Sequence, residues 1–419
     1  MVPGHEVTTP RPQATQRAIM RTMRIPQRPA AVRGSAALRL RRMALLAGLA
    51  ALLVMQSAAF AAPRARVSQR AVSPLQPATV KLSGPGATPR GMHVRMATAA
   101  TPVKQPEEQA AGFLSKRTLK LVTLFTLWYV LNVGYNIGNK LVLTALPIPW
   151  TSATIELFFG LPYVGFLWLT GLRKRPKLSM ESIKILCPSA FFLMGTHVGG
   201  VISFSAGAIS FTHVLKATEP VWTALISAVF FREFLSVPVY ASLVPIIIGV
   251  MLASTHELSF TWVSLIAGTL SAVTSACKAI LSKKALSGKS LGENLTPGNM
   301  FAILTILGCA MILPASLMVE GPAKISVAWA HARATGYSAA HLWGLLGLSG
   351  WLYYMYNEVA FMALSEVSPV THAVTNTVKR VVIILASLVV FHTGITPLGA
   401  LGSGLAIFGA LMYSLAARK

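Results

Sequence analysis

A chain of 419 residues with 54% hydrophobic and only 12% charged residues, and a mean hydropathy of +0.61, does not have a soluble globular composition. Its formal charge of +25 does not signal a nucleic-acid partner, because the Lys and Arg residues crowd the first hundred positions and the ends of apolar runs, without the aromatic interleaving of a nucleic-acid surface. Cys187, Cys277 and Cys309 lie in separate apolar runs without CxxC spacing, which speaks for buried, inert thiols rather than a disulfide framework or a metal site.

Residues 1–110 read as a disordered leader. Arg39, Arg41 and Arg42 precede the apolar run from Met43 to Ala59, and small residues follow up to Pro63. Basic, apolar and small-residue regions in that order make a signal peptide, and the run is short and Ala-rich for a spanning helix. From Phe60 to about Ala100 the chain is rich in Arg, Ser, Thr, Pro and Ala and carries no acidic residue, which is transit-peptide composition. Signal plus transit, with Phe60 at the junction, resembles the bipartite leader of proteins sent to plastids of secondary origin. The alternative is a basic tail behind a first membrane anchor.

Ten apolar segments of spanning length follow, at about 119–139, 152–171, 184–205, 208–231, 237–255, 260–281, 298–319, 342–364, 369–391 and 396–415. They predict an all-α membrane protein. Pro162, Pro188, Pro220 and Pro245 lie within them, as spanning helices tolerate. The narrowest division is at Ser205-Ala206-Gly207-Ala208, and residues 320–341 read as the longest loop. With ten spans, one side of the membrane collects Arg173, Lys174, Arg175, Lys177, Lys283 and Lys284, and the other has little beyond Lys140, Lys324 and Arg333. That asymmetry fits an even number of spans.

An internal repeat divides the chain. Residues 210–238 lie over 369–397 without a gap, matching Thr212-His213 to Thr371-His372 and Pro238 to Pro397. The halves, 111–256 and 257–419, then hold five spans each. Five is odd, so the second half enters the membrane inverted, a transporter architecture with its site between the halves.

Four cations fall inside spans: Lys216 in the fourth, Lys278 in the sixth, and Lys379 and Arg380 in the ninth. Each costs about 2.5–3.5 kcal/mol at the centre of a spanning helix, so such residues face a cavity and mark a pathway. Glu219, three residues after Lys216 and expected on the same helix face, and Glu358 in the eighth span are the available counter-charges. The surplus of about two positive charges suits a bound dianion, and Arg with Lys is a common pairing for phosphate. The alternative is that carbonyls, Glu219 and water satisfy these cations. His197 in the third span and Tyr356 in the eighth are weaker candidates for a ligand. They read equally as a packed histidine and a cavity tyrosine, while Tyr353 and Tyr354 suit a cavity or an interfacial belt. The glycines around His197 suit close helix contact, and His213 and His372 read as structural. No Ser-His-Asp set, GxSxG, HExxH or P-loop occurs, so neither an enzyme nor a cofactor is expected.

These residues carry a family resemblance. Ile209 to Pro220 (ISFTHVLKATEP), Leu281-Ser282-Lys283-Lys284, Tyr356-Asn357, Thr371-His372-Ala373-Val374 and Lys379-Arg380-Val381, in that order, resemble the plastid phosphate translocators of the drug/metabolite transporter superfamily, over about residues 115–415. The resemblance implies a plastid envelope protein that exchanges a phosphorylated three-, five- or six-carbon compound for inorganic phosphate. It implies that Lys216, Lys379 and Arg380 grip the phosphate and that His197 and Tyr356 hold the substrate. Two departures concern the organic end: Lys278 stands where the family has an arginine, and Gly200 where the triose type has a threonine. Triose phosphate or 3-phosphoglycerate is the expected cargo, with phosphoenolpyruvate, pentose phosphate or hexose phosphate as the alternative. A nucleotide-sugar antiporter, an anion channel and a non-transporting scaffold are more distant.

Overall fold

The computed structural model describes residues 116–286, 291–367 and 369–417, and the leader expected over 1–110 lies outside them. The described residues form helices α1 (Lys116–Ala145), α2 (Pro149–Phe158), α3 (Gly160–Leu169), α4 (Met180–Ala206), α5 (Ile209–Lys216), α6 (Glu219–Phe231) and α7 (Val237–Thr255). They continue with α8 (Trp262–Leu286), α9 (Pro297–Val319), α10 (Gly321–Ala334), α11 (Ala339–Glu366), α12 (Pro369–Phe391) and α13 (Pro397–Ala416). The protein is an all-α membrane protein. Its surface is inverted relative to a soluble fold: Phe230 is 76% exposed and Met318 81%, while Glu156, Asn139 and Thr212 have no exposed surface.

Nine helical segments among the described residues are long and apolar enough to cross a bilayer. The expected eighth span is a helix, α11, with 28 residues and ample length. It falls outside the nine because Tyr353, Tyr354, Tyr356, Asn357 and Glu358 dilute its apolar character. Residues 320–341 are not a loop, as the sequence suggested. Their Pro322, Lys324, His331 and Arg333 occur in α10, whose Ala328 and Ala332 pack with Val142, Leu146 and Leu346. Pro322, like Pro149 of α2, sits where prolines belong, at a helix start, and Glu320 closes α9 onto α2. The Glu320 carboxylate accepts from the Trp150 and Thr151 amides at 3.0 and 2.8 Å, placing negative charge at a helix N-terminus. Lys140 does the converse: Nζ donates to the Phe204 and Gly207 carbonyls, at 2.6 and 2.8 Å, where α4 ends.

The division at Ser205-Ala206-Gly207-Ala208 is present. A Cβ on Gly207 would lie 2.5 Å from Ser264 Oγ, so the chain turns there against α8. Pro220 interrupts the next span: it has no amide to donate to the carbonyl of Lys216, and α5 stops at that residue. In the repeat overlay Pro220 falls on Lys379, and α12 runs unbroken through that position.

Helices pair in a regular scheme: α1 with α11, α4 with α8, α7 with α13, α2 with α9, and α5 with α12. The α7–α13 seam is backbone on backbone. A Cβ on Gly249 would lie 2.3 Å from the Ala406 nitrogen, and one on Gly402 2.5 Å from the Ala253 nitrogen. Small residues thus replace a hydrophobic driving force with close packing. Gly249→Val is expected to destabilise the protein by about 1–3 kcal/mol through overpacking. Gly404→Ala, where a Cβ meets nothing within 4 Å, is expected to be neutral. Melting temperatures of the detergent-solubilised variants check both.

Candidate functional site

The break between α5 and α6 builds one wall of the site. Lys216 ends α5 and Glu219 opens α6, so each charge sits at the helix end whose dipole favours it. The expectation that Lys216 and Glu219 share a helix face is therefore corrected: Ala217 and Thr218 separate two helices. Glu219 is instead bonded across the bundle. Arg380 Nη2 of α12 donates to its Oε2 at 2.9 Å, and Ser275 Oγ of α8 donates to its Oε1 at 2.8 Å. Lys278, one turn after Ser275, and Lys379 also act electrostatically on Glu219, and Lys216, Lys379 and Arg380 act on one another.

The structure thus brings Lys216, Lys278, Lys379 and Arg380 together from α5, α8 and α12. The other counter-charge expected for them, Glu358, is engaged elsewhere. It pairs with Arg173 from the segment after α3, and both side chains are largely buried. One carboxylate, Glu219, thus faces four cations, a larger surplus than the sequence count. Two of the lysines rest on aromatic faces: Lys379 Nζ lies 4.6 Å from the Trp128 ring centroid and Lys216 Nζ 5.7 Å from that of Phe204. Such contacts are worth about 2 kcal/mol or more when desolvated. Gly200 leaves room for the Lys216 ammonium, which lies 2.8 Å from where a Cβ would be.

His197 and Tyr356 meet in an adjoining cluster. The His197 ring lies 4.0 Å from the Tyr353 centroid, and Tyr356 lies 5.7 Å from Tyr353 and 5.1 Å from Tyr135. Tyr353 and Tyr354 are buried, so neither belongs to an interfacial belt. Lys216 acts electrostatically on His197, which joins the two clusters. His213 is buried with Nε2 2.8 Å from Asn136 Oδ1, and Lys216, Lys379 and Arg380 act on it electrostatically. The His372 side chain lies outside the described residues. Of the free thiols, Cys309 is buried, whereas Cys187 and Cys277 are only partly so. Gly195 and Gly199 do press on α8, with Cβ positions 2.9 Å from Thr274 Cγ2 and the Ala267 carbonyl oxygen.

The sequence reading missed one face of α1 and a buried acid. Asn132, Tyr135, Asn136 and Asn139 are all buried, and their spacing of i, i+3, i+4 and i+7 puts them on one face. That polar stripe in an apolar span was a legible signal. So was Glu156 of α2, a carboxylate within the expected span 152–171. Tyr135 OH and Asn139 Nδ2 donate to its Oε2 at 3.2 and 3.3 Å, and Ser349 Oγ to its Oε1 at 2.5 Å.

A multi-pass helical bundle with an interrupted span and a cation cluster among its interior helices defines a membrane transporter. A profile of the Triose-phosphate Transporter family matches residues 119–414, and the chain belongs to that family. It is 37% identical over 314 residues to glucose-6-phosphate/phosphate translocator 2, chloroplastic, of Arabidopsis thaliana, covering 75% of this chain and 78% of that one. Identity to phosphoenolpyruvate/phosphate translocator 3, chloroplastic, of Oryza sativa subsp. japonica is 39% over 331 residues, covering 78% and 82%. Identity to the non-green plastid triose phosphate/phosphate translocator of Brassica oleracea var. botrytis is 34% over 320 residues, covering 76% and 78%. The protein is a multi-pass plastid membrane transporter and not an enzyme.

The Arg173–Glu358 pair yields a stability test. Glu358→Gln leaves a largely buried guanidinium without its counter-charge, at a cost of about 1.5–3 kcal/mol. Arg173→Gln combined with Glu358→Gln is expected to recover part of that loss in a double-mutant cycle read by melting temperature.

Proposed function

We propose that the protein is an antiporter exchanging triose phosphate or 3-phosphoglycerate for inorganic phosphate across a plastid membrane by alternating access. The observation that carries this reading is the facing of Lys216, Lys278, Lys379 and Arg380 by a single carboxylate, Glu219. A bound phosphate dianion offsets most of that surplus. Arg380 supplies a guanidinium fork and Lys216 and Lys379 point charges. His197 and Tyr356 contact the organic end, and Lys278 adds charge beside Glu219.

Obligatory exchange follows from the same electrostatics. A carrier without its anion holds unpaired cations in low dielectric and resists closing, whereas a bound dianion neutralises the cavity and permits reorientation. The reading places two inverted halves, 111–256 and 257–419, on either side of the site. The pairing scheme supports it, because a shift by five spans turns the α4–α8 pair into the α11–α1 pair and maps the α7–α13 and α2–α9 pairs onto themselves. The leader composition supports delivery to a complex plastid. The second reading keeps the exchange and changes the cargo to phosphoenolpyruvate, pentose phosphate or hexose phosphate. Relatives named for different cargoes lie at similar identity, which favours keeping it.

Labelled phosphate uptake into proteoliposomes tests the reading. Uptake is expected only when the lumen holds phosphate, triose phosphate or 3-phosphoglycerate, and Lys379→Ala is expected to abolish it. Equal uptake into empty liposomes would make the protein a channel. Gly200→Leu crowds the Lys216 ammonium and is expected to raise the Km for phosphate by up to about tenfold, or ~1.4 kcal/mol, read in the same assay.

A further inference from the structure

Glu156 takes no part in the cation cluster, yet its carboxylate has no exposed surface. Such a group persists only with its oxygens bonded. Ser349, Tyr135 and Asn139 donate to it, and Tyr135 OH accepts from Asn139 Nδ2 at 2.7 Å, which commits the phenolic hydrogen to Glu156. On the same oxygen, Oε2, stands His197: Nε2 is 3.3 Å away, and 3.2 Å from the Ala153 carbonyl oxygen. A carbonyl oxygen only accepts, so Nε2 carries the hydrogen. The neutral ring then keeps its lone pair on Nδ1, which no hydrogen bond among the described residues engages. The Tyr353 ring, tilted by 38° with its centroid 4.0 Å away, packs against the imidazole.

We propose that Glu156 is a positioning residue for cargo selection: with the Ala153 carbonyl it holds His197 in the Nε2–H form, so that Nδ1 meets the organic end of the cargo as an acceptor and favours phosphate esters that carry a hydroxyl group. The inference rests on the reading of His197 as a cargo contact. The distinction is chemical. Dihydroxyacetone phosphate, 3-phosphoglycerate and the sugar phosphates have a hydroxyl to donate. Phosphoenolpyruvate at neutral pH has only acceptors on its organic end, and an acceptor set against Nδ1 leaves both unpaired. A site built to bond a hydroxyl rejects an analogue lacking it far more strongly than an apolar pocket does.

The test measures Km for dihydroxyacetone phosphate, phosphoenolpyruvate and phosphate in proteoliposomes of wild type, Glu156→Gln, His197→Ala and the double variant. Wild type is expected to favour dihydroxyacetone phosphate over phosphoenolpyruvate by about tenfold or more in Km. Glu156→Gln leaves one acceptor oxygen for the donors Tyr135, Asn139, Ser349 and His197, and is expected to reduce that ratio about fivefold, more than it moves the Km for phosphate. The double variant is expected to match His197→Ala. Parallel shifts of all three Km values, or a fall in kcat alone, would show a merely structural role and overturn the proposal. A ratio lowered by His197→Ala but not by Glu156→Gln would overturn it while leaving the His197 contact standing. A ratio indifferent to His197→Ala would remove both. If Glu156→Gln does not assemble, Ser349→Ala, which removes the 2.5 Å donor to Oε1, must lower the same ratio. An unchanged ratio there overturns the proposal.

Discussion

Unneutralised positive charge inside a bundle of membrane helices is the constraint to which the rest of the interior answers. Lys216, Lys278, Lys379 and Arg380 converge on Glu219, and in low dielectric each would be costly without compensation. The fold supplies that compensation in parts. Trp128 and Phe204 offer ring faces to two ammonium groups. The break at Pro220 sets Lys216 at a helix C-terminus, where carbonyls face it. Arg380 takes the one carboxylate. What these partners leave over is the attraction available to an anionic ligand.

The interior separates into two chemical districts. One is cationic and centred on Glu219, from α5, α6, α8 and α12. The other is aromatic and amide-rich and centred on Glu156, from α1, α2, α4 and α11. In the proposed reading the first recognises what all cargoes share, the phosphate, and the second what distinguishes them. The α4 helix touches both, with His197 in one district and Gly200, a turn on, beside Lys216 in the other.

Much of this was legible from the chain alone, for a physical reason: the bilayer requires long apolar runs, and any charge within them stands out. The helical spans, the Ser205–Ala208 division and the convergence of the intramembrane cations all follow from that contrast. What escaped the reading depended on tertiary partners. Glu358 looked free because Arg173, its partner, sits in a stretch that reads as a basic loop. Glu219 looked like a helix neighbour of Lys216 because the effect of Pro220 was read as tolerated rather than as a break. The α10 helix was hidden by Pro322 and by charges that suit a membrane-surface helix as well as a loop. Glu156 is a charge within a span and so carried the same signal, but its role was not legible, since its polar partners come from α1, α4 and α11.

The α7–α13 seam has a mechanical consequence. Where Gly249 and Gly402 let two backbones touch, no side chain lies at the point of contact to repack as the helices move. A side-chain interface can roll by exchanging one set of interdigitated knobs for another, whereas a bare main-chain contact can only hold or separate. The two helices therefore form a stiff spar within the bundle.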